Sequence, residues 1–200
     1  VDAASQIYPV SRMLSWTKMG ADLVCFGAKY IGAPHSSGIL CGRKPLVDSA
    51  VRQGFIGFEV GHSSIGRGFK LDRGEVIAVV LALQNWLSMD HEERIAIAQS
   101  KLNTICAPLI DKSGIEFSME PNVHISDRMG YNHLGSPGLY LEFRRQSGLT
   151  TDTVIAMLGE GNPSIVVTKV GDAILLNPNT LLDSDAEVIA ERLESIVSGA

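Results

Sequence analysis

The sequence predicts an α/β protein in two parts, with strands and helices mixed over residues 1–88 and a smaller α+β region over residues 89–200. Three observations support this prediction. Short apolar runs bounded by glycine, typical of buried strands, come early in the chain, and a long helical pattern ends the first part. Alternating apolar and polar residues, typical of half-buried strands, follow only after that helix.

The first part contains two expected strands and one expected helix. Residues 21–26 (ADLVCF) and 37–41 (SGILC) are the two apolar runs, and we expect both to form buried strands. Asp72 and Glu75, three residues apart, form a capping-box pattern that predicts a helix start. Apolar residues then recur at helical spacing, which predicts one long, well-buried helix over residues 73–88. They are Val76, Val79, Val80, Leu83 and Leu87.

The second part begins with a helix and continues with strands. A helical stripe predicts a helix over residues 92–106, and alternation predicts a half-buried strand over residues 139–143. Residues 164–168 (SIVVT) and 173–176 (AILL) flank the turn sequence VGD, which is typical of a hairpin.

A last helix is expected near the end of the chain. Ser184 and Glu187 again stand at capping-box spacing, so the helix should start there. Its apolar face is predicted to consist of Ala186, Ile189, Ala190, Leu193 and Ile196.

Composition argues against several classes of protein. Hydrophobic residues make up 45% of the 200 residues, enough for a folded core. A net charge of −5 argues against a dedicated nucleic-acid binder, and no apolar run approaches the roughly 18 residues of a membrane helix. Three cysteines include no CxxC pair, and Cys25 and Cys41 lie in apolar runs, so we expect reduced, buried thiols in a cytoplasmic protein.

Asp2 and Lys29 are the main chemical candidates. Taken singly, each has a commoner interpretation, an exposed loop aspartate and a surface lysine. Asp2 follows a β-branched residue, a pattern typical of a carboxylate at the end of a strand, where α/β sheets bind ligands. Lys29 follows an apolar strand and is surrounded in sequence by small residues. A lysine in such a partly apolar pocket can act as a nucleophile or base. Pyridoxal phosphate chemistry requires both groups, a lysine for the Schiff base and a carboxylate that keeps the pyridine nitrogen protonated.

Four stretches together resemble a known enzyme family. They are VDAASQ, GADLVCFGAKYIGAPHSSGILCGRKPLV, IGRGFKLDRGEVIAVVLALQNWL and GNPSIVVTKVGDAILLNPNTLLDSDAEVIAERL. These stretches resemble the fold-type-I pyridoxal phosphate enzymes, in the branch related to L-seryl-tRNA(Sec) selenium transferase, which includes ammonia-lyases that act on phosphorylated sugar amino acids. The resemblance implies the end of a large domain, with a mixed sheet and flanking helices, followed by a small α+β domain.

The resemblance also implies roles for individual residues. It implies that Lys29 forms the Schiff base, that Asp2 pairs with the ring nitrogen, and that Ala4 lies against the ring. His35, six residues beyond Lys29 in the same loop, stands where the branch commonly has glutamine, and we expect it at the cofactor. Phe26 replaces a common serine, so it offers no hydroxyl to the cofactor phosphate.

Further basic residues are candidates for substrate binding. Arg67 and Lys70 could approach a phosphate or carboxylate across a dimer interface, and a solvated basic turn is an equal alternative. Thr168 stands where the branch often has arginine, with Lys169 next to it; lysine offers a point charge and not a bidentate fork. No metal site is expected, because the histidines lack metal-ligand spacing. They are His35, His62, His91, His124 and His133.

The expected function is elimination or β-replacement on an amino acid substrate, with Lys29 as the base at Cα. A transaminase, a cysteine desulfurase and a non-catalytic oligomerisation module of the same fold remain alternatives. We expect a homodimer or a higher homo-oligomer. Because the chain starts at Val1, and the family's phosphate loop precedes its aspartate strand, we expect the C-terminal half of a longer enzyme, inactive in isolation.

Overall fold

The computed structural model describes residues 1–61, 64–121 and 134–199. The chain divides into two compact units, Val1–Met89 and Asp90–Ala200. Among the helices of these described residues, none combines the length and the apolar character needed to cross a membrane.

The described residues of the first unit form a small sheet and four α-helices. In chain order they are α1 (Val10–Lys18), β1 (Leu23–Gly27), β2 (Gly38–Gly42), α2 (Lys44–Gln53), α3 (Phe55–Glu59) and α4 (Arg73–Ser88). Strands β1 and β2 pair antiparallel, with Cys25 opposite Leu40. On the other side of β1, Asp2 forms a parallel bridge with Cys25. The N-terminal residues therefore extend this sheet beyond its two named strands.

Only part of this sheet is buried as the sequence predicts. In β1, Val24 and Phe26 are buried and Cys25 between them is exposed, because successive side chains of a strand point to opposite faces. Within the part of the chain that the structure describes, strand β2 pairs only with β1, and its residues are exposed or half-buried. The predictions of a buried second strand and of a buried Cys25 thiol are therefore wrong.

Helix α4 has the predicted limits but not the predicted burial. Its capping box is confirmed, because the Asp72 carboxylate accepts from the Gly74 amide at 2.6 Å and the Asp72 amide donates to Glu75 at 3.2 Å. Trp86 is its one buried residue, whereas Val76 is 49% and Val80 51% exposed. Apolar residues occur all around this helix, and the first unit covers only one side of it.

The second unit packs helices on a four-stranded sheet. In chain order its elements are α5 (His91–Cys106), β3 (Ile115–Pro121), β4 (Pro137–Phe143), α6 (Thr151–Gly159), β5 (Thr168–Val170), β6 (Ala173–Leu176) and α7 (Asp185–Ser198). The strand order is β3-β4-β6-β5, and every pair is antiparallel. The core includes Leu102, Leu139, Leu141, Ile174 and Leu193, all fully buried. The predicted helix over 92–106, the strand over 139–143 and the apolar face of α7 are confirmed.

The predicted hairpin is shorter than expected. Its first strand begins only at Thr168, so most of residues 164–168 lies outside the sheet. The backbone amide of Ile165 donates to the carbonyl of Leu158 in α6, at 3.0 Å, and not to β6. This hydrogen bond to α6 therefore takes the place of the strand pairing that the apolar run predicts.

The predicted capping box of α7 is also wrong. Ser184 has φ −98° and ψ −1°, a helical conformation, and its side chain makes no capping hydrogen bond. An N-cap residue normally has extended backbone angles, which direct its hydroxyl at the first free amides. Instead, the Asp185 carboxylate accepts from the amide of Leu182 at 2.7 Å.

Candidate active site

Lys29 lies on a tight turn at the end of β1. The strand ends at Gly27, and residues Ala28–Ile31 form a single 3-10 turn. The turn closes where the amide of Gly32 donates to the carbonyl of Lys29 at 3.2 Å, with Gly32 at φ +87°. Glycine adopts this left-handed conformation without the steric cost that a Cβ would add. The turn therefore presents Lys29 at the carboxyl end of a strand.

Asp2 lies beside the same strand. The Ala3 amide donates to the carbonyl of Cys25 at 3.0 Å, and the Cys25 amide donates to the carbonyl of Val1 at 3.1 Å. Further along, the Gly27 amide donates to the carbonyl of Ala4 at 2.8 Å. Residues 1–4 thus run parallel to β1 as far as the residue two positions before Lys29. The structure brings together the segment that carries Asp2 and Ala4 and the turn that carries Lys29.

The Asp2 carboxylate is held by its own segment. Its Oδ1 accepts from the Ala4 amide at 3.0 Å, and the Cys25 thiol lies 3.9 Å from the same oxygen. Asp2 is exposed, and no donor within residues 1–61, 64–121 and 134–199 bonds its Oδ2. One carboxylate oxygen is therefore oriented by the backbone while the other is available to a ligand.

The Lys29 ammonium contacts an aromatic ring. Its Nζ lies 5.1 Å from the centroid of the Tyr30 ring, within the range of a cation–π interaction. Lys29 is exposed, and it makes no ion pair with any residue that the structure describes. These residues therefore do not form the partly apolar pocket that the sequence predicts around Lys29.

Helix α4 makes hydrogen bonds to both segments of the site. The Ser36 hydroxyl, in the loop that follows the lysine turn, donates to Glu75 Oε1 at 2.8 Å. The buried indole of Trp86 donates to the carbonyl of Ile7, which continues the Asp2 segment, at 3.2 Å. The sequence identifies Glu75 only as a capping residue and Trp86 only as a packing residue. It gives no signal for Ser36, because residues 39 positions apart in a chain carry no pairing information.

The remaining predicted site residues in the first unit lie on its surface. His35 is exposed in the loop after Lys29. Arg67, in the 3-10 turn Ile65–Phe69, lies 5.2 Å from the Phe55 ring, and the Lys70 ammonium lies 4.4 Å from the same ring. Both cations therefore contact the same aromatic ring.

In the second unit, the predicted substrate residue Lys169 forms an ion pair. Its ammonium lies 2.5 Å from the Asp152 carboxylate, so its charge is already compensated. Neighbouring Thr168 lines a cleft of about 380 Å³, together with residues 163–167 and the start of α7.

The three cysteines are free thiols in regular structure. Cys25 and Cys41 lie in β1 and β2, and Cys106 is the last residue of α5. Burial raises the pKa of the Cys106 thiol to about 11, and burial and the nearby Cys25 raise the pKa of Cys41. None lies on a loop, where a cysteine desulfurase would carry its catalytic thiol.

The described residues also contain no cluster of metal ligands. Within residues 1–61, 64–121 and 134–199, no three His, Cys, Asp or Glu side chains lie together as a metal ion would require. His62, His124 and His133 are outside the described residues.

The chain is similar to an ammonia lyase and to a monooxygenase-decarboxylase. No protein-family model matches it. It is 24% identical to D-glucosaminate-6-phosphate ammonia lyase of Salmonella typhimurium over the whole of this chain and 49% of the relative. It is 30% identical to 5'-C-glycyluridine monooxygenase-decarboxylase of a Streptomyces species, over 54% of this chain and 24% of the relative.

A solved structure of a D-glucosaminate-6-phosphate ammonia-lyase matches the entire chain with a TM-score of 0.64 at 23% identity, over 49% of that structure. The chain thus spans about half the length of the ammonia-lyase. The predicted α/β fold class and the predicted resemblance to fold-type-I enzymes are confirmed at the level of the fold.

Proposed function

We propose that this chain forms part of a pyridoxal phosphate-dependent lyase that acts at Cα and Cβ of an amino acid substrate. Elimination or β-replacement would follow removal of the Cα proton. The observation that supports this proposal most is the parallel bridge between Asp2 and Cys25, because it places a carboxylate beside the strand that ends in the lysine turn.

The residues present fit the cofactor chemically. The aldehyde of pyridoxal phosphate requires an amine without a competing carboxylate, and Lys29 has no ion pair among the described residues. The ring nitrogen requires a carboxylate acceptor, and Asp2 has Oδ2 available while Oδ1 is oriented by the Ala4 amide. Ala4 is small, so the backbone at this position can approach a flat ring closely.

When bound, pyridoxal phosphate acts as an electron sink for the charge left at the substrate Cα. In this proposal Lys29 would hold the cofactor through Nζ, and its amine, when free, would accept the Cα proton of the substrate. Asp2 would hold the proton on the ring nitrogen through Oδ2. Helix α4 orients both segments through its bonds to Ser36 and Ile7.

The first relative's name supports the reaction class, since it is that of a lyase that releases ammonia. The positions of the three cysteines do not favour the desulfurase alternative. A transaminase and a non-catalytic module of the same fold are distinguished by experiment.

Borohydride trapping tests the attachment of the cofactor. Full-length protein incubated with pyridoxal phosphate and reduced with borohydride should carry the phosphopyridoxyl group on the peptide containing Lys29, as read by mass spectrometry. Lys29→Ala should lose this label, whereas Lys18→Ala, which removes an exposed lysine of α1, should retain it. A wild-type protein without label at Lys29 would contradict the proposal and support the non-catalytic module.

The role of Asp2 requires a second readout. Asp2→Asn keeps the size of the side chain but removes the charge that holds the ring proton, so the trapped label should persist. Exchange of the Cα proton of L-serine in D₂O, followed by NMR, should largely disappear. Exchange of the Cα proton at the wild-type rate would refute the assignment of Asp2. In the wild-type protein, conversion of added 2-oxo acids to amino acids would indicate a transaminase.

A further inference from the structure

The Tyr30 ring packs against Gly27 in the turn that carries Lys29. The 3-10 turn Ala28–Ile31 folds the Tyr30 ring back over Gly27. A Cβ placed on Gly27 would lie 3.1 Å from two carbon atoms of that ring and 3.3 Å from the carbonyl oxygen of Ala4. The ring therefore fills the space that a side chain at position 27 would take.

The same ring faces the charge on Lys29. Its centroid is 5.1 Å from Lys29 Nζ. No hydrogen bond or ion pair within residues 1–61, 64–121 and 134–199 fixes Nζ otherwise. An aromatic face attracts an ammonium ion electrostatically and has no comparable attraction for a neutral amine. The contact thus holds the charged end of the lysine at one place.

We infer that Tyr30 is a positioning residue that holds the ammonium form of Lys29 over the end of β1, beside the Asp2 segment. This inference rests on the proposed function for its significance, since Lys29 is the amine that the proposal assigns to the cofactor. When Nζ accepts a proton, the ammonium ion that forms is the species that the ring attracts. A neutral amine lacks this attraction, so the ring contact must be released before Nζ acts as a nucleophile.

A series of fluorinated phenylalanines at position 30 tests this inference. Fluorine weakens the negative face of the ring stepwise and hardly changes its shape. The readout is the rate at which Lys29 Nζ is acetylated by acetic anhydride at neutral pH, measured by mass spectrometry against Lys18 in the same sample. Relative to phenylalanine at position 30, the rate should rise with each fluorine, about two- to five-fold in total for a cation–π contact at an exposed site.

The control is the same series at Tyr140 in β4, where the acetylation ratio should stay constant. Damage to the turn would change the rate by an amount that does not follow the number of fluorines. A constant ratio across the position 30 series would overturn the inference.

Borohydride trapping in the same variants separates this inference from the proposed function. Graded acetylation without cofactor on Lys29 would support the role of Tyr30 and contradict the proposed function. Cofactor on Lys29 with a constant acetylation ratio would support the proposed function and contradict the role of Tyr30.

Discussion

Replacing Trp86 by phenylalanine should destabilise the first unit more than its loss of volume explains. The indole N–H donates to the carbonyl of Ile7 at 3.2 Å, and both residues are buried, with Trp86 4% and Ile7 0% exposed. Phenylalanine cannot donate this bond, and the carbonyl loses that donor away from water. An unsatisfied buried polar group costs about 1–3 kcal/mol of the free energy of unfolding.

Trp16, which is half-buried, provides a control for the change from indole to phenyl. Its indole nitrogen is buried, and within the described residues it has no hydrogen-bond partner. Trp16→Phe therefore removes the same atoms without breaking a hydrogen bond. The chain has two tryptophans, both in the first unit, so each variant retains one fluorescent reporter of that unit.

Urea denaturation followed by tryptophan fluorescence measures the difference. Trp86→Phe should lower the free energy of unfolding by about 1–3 kcal/mol more than Trp16→Phe, with equal dependence on urea concentration. Equal destabilisation by the two substitutions, within about 0.5 kcal/mol, would refute the assignment of the bond from α4 to the Asp2 segment.

Two further predictions concern pH and thiol reactivity. The hydrogen bond from the Arg144 guanidinium lowers the pKa of Glu116, so the stabilisation from this pair is complete above about pH 5 and is lost as the pH falls through the lowered pKa. Glu116→Gln should therefore unfold at a lower temperature than wild type at neutral pH and at the same temperature as wild type in acid. A difference in unfolding temperature that stays constant across pH would contradict the pairing. Iodoacetamide at mildly alkaline pH should modify exposed Cys25 first, Cys41 more slowly and Cys106 last, because burial raises the pKa of the latter two. Labelling of Cys106 at the same rate as Cys25, measured by mass spectrometry, would contradict the burial of the Cys106 thiol at the end of α5.

The sequence predicted local elements well because their signals are local. The Asp72 and Glu75 capping box identified the start of α4, and the helical spacing of Ile189 and Leu193 identified the buried face of α7. Each signal depends on residues within one or two helical turns.

The errors arose where a distant partner decides the outcome. Val76 and Val80 have the residue type of a core, but their burial depends on what packs against α4. The run before Thr168 has strand-forming residues, yet the amide of Ile165 bonds the end of α6. Ser184 has a capping side chain with unsuitable backbone angles.

The candidate site likewise contains residues that the sequence indicated and residues that it did not. The sequence indicated Asp2 and Lys29 through their neighbours and the family resemblance. It did not indicate Tyr30 as a partner of Lys29, or Ser36 as a partner of Glu75, because these contacts depend on how the lysine turn folds.

The two hydrogen bonds of α4 also constrain how the gene can change. Glu75 and Trp86 are 11 residues apart, close to three full turns at about 3.6 residues per turn, so both point to the same side of the helix. Insertion or deletion of a single codon between them would rotate one of the two side chains by about 100° around the helix axis, away from its hydrogen-bond partner. We expect natural variants to substitute residues freely on the outer side of α4 but to keep its length between these two positions.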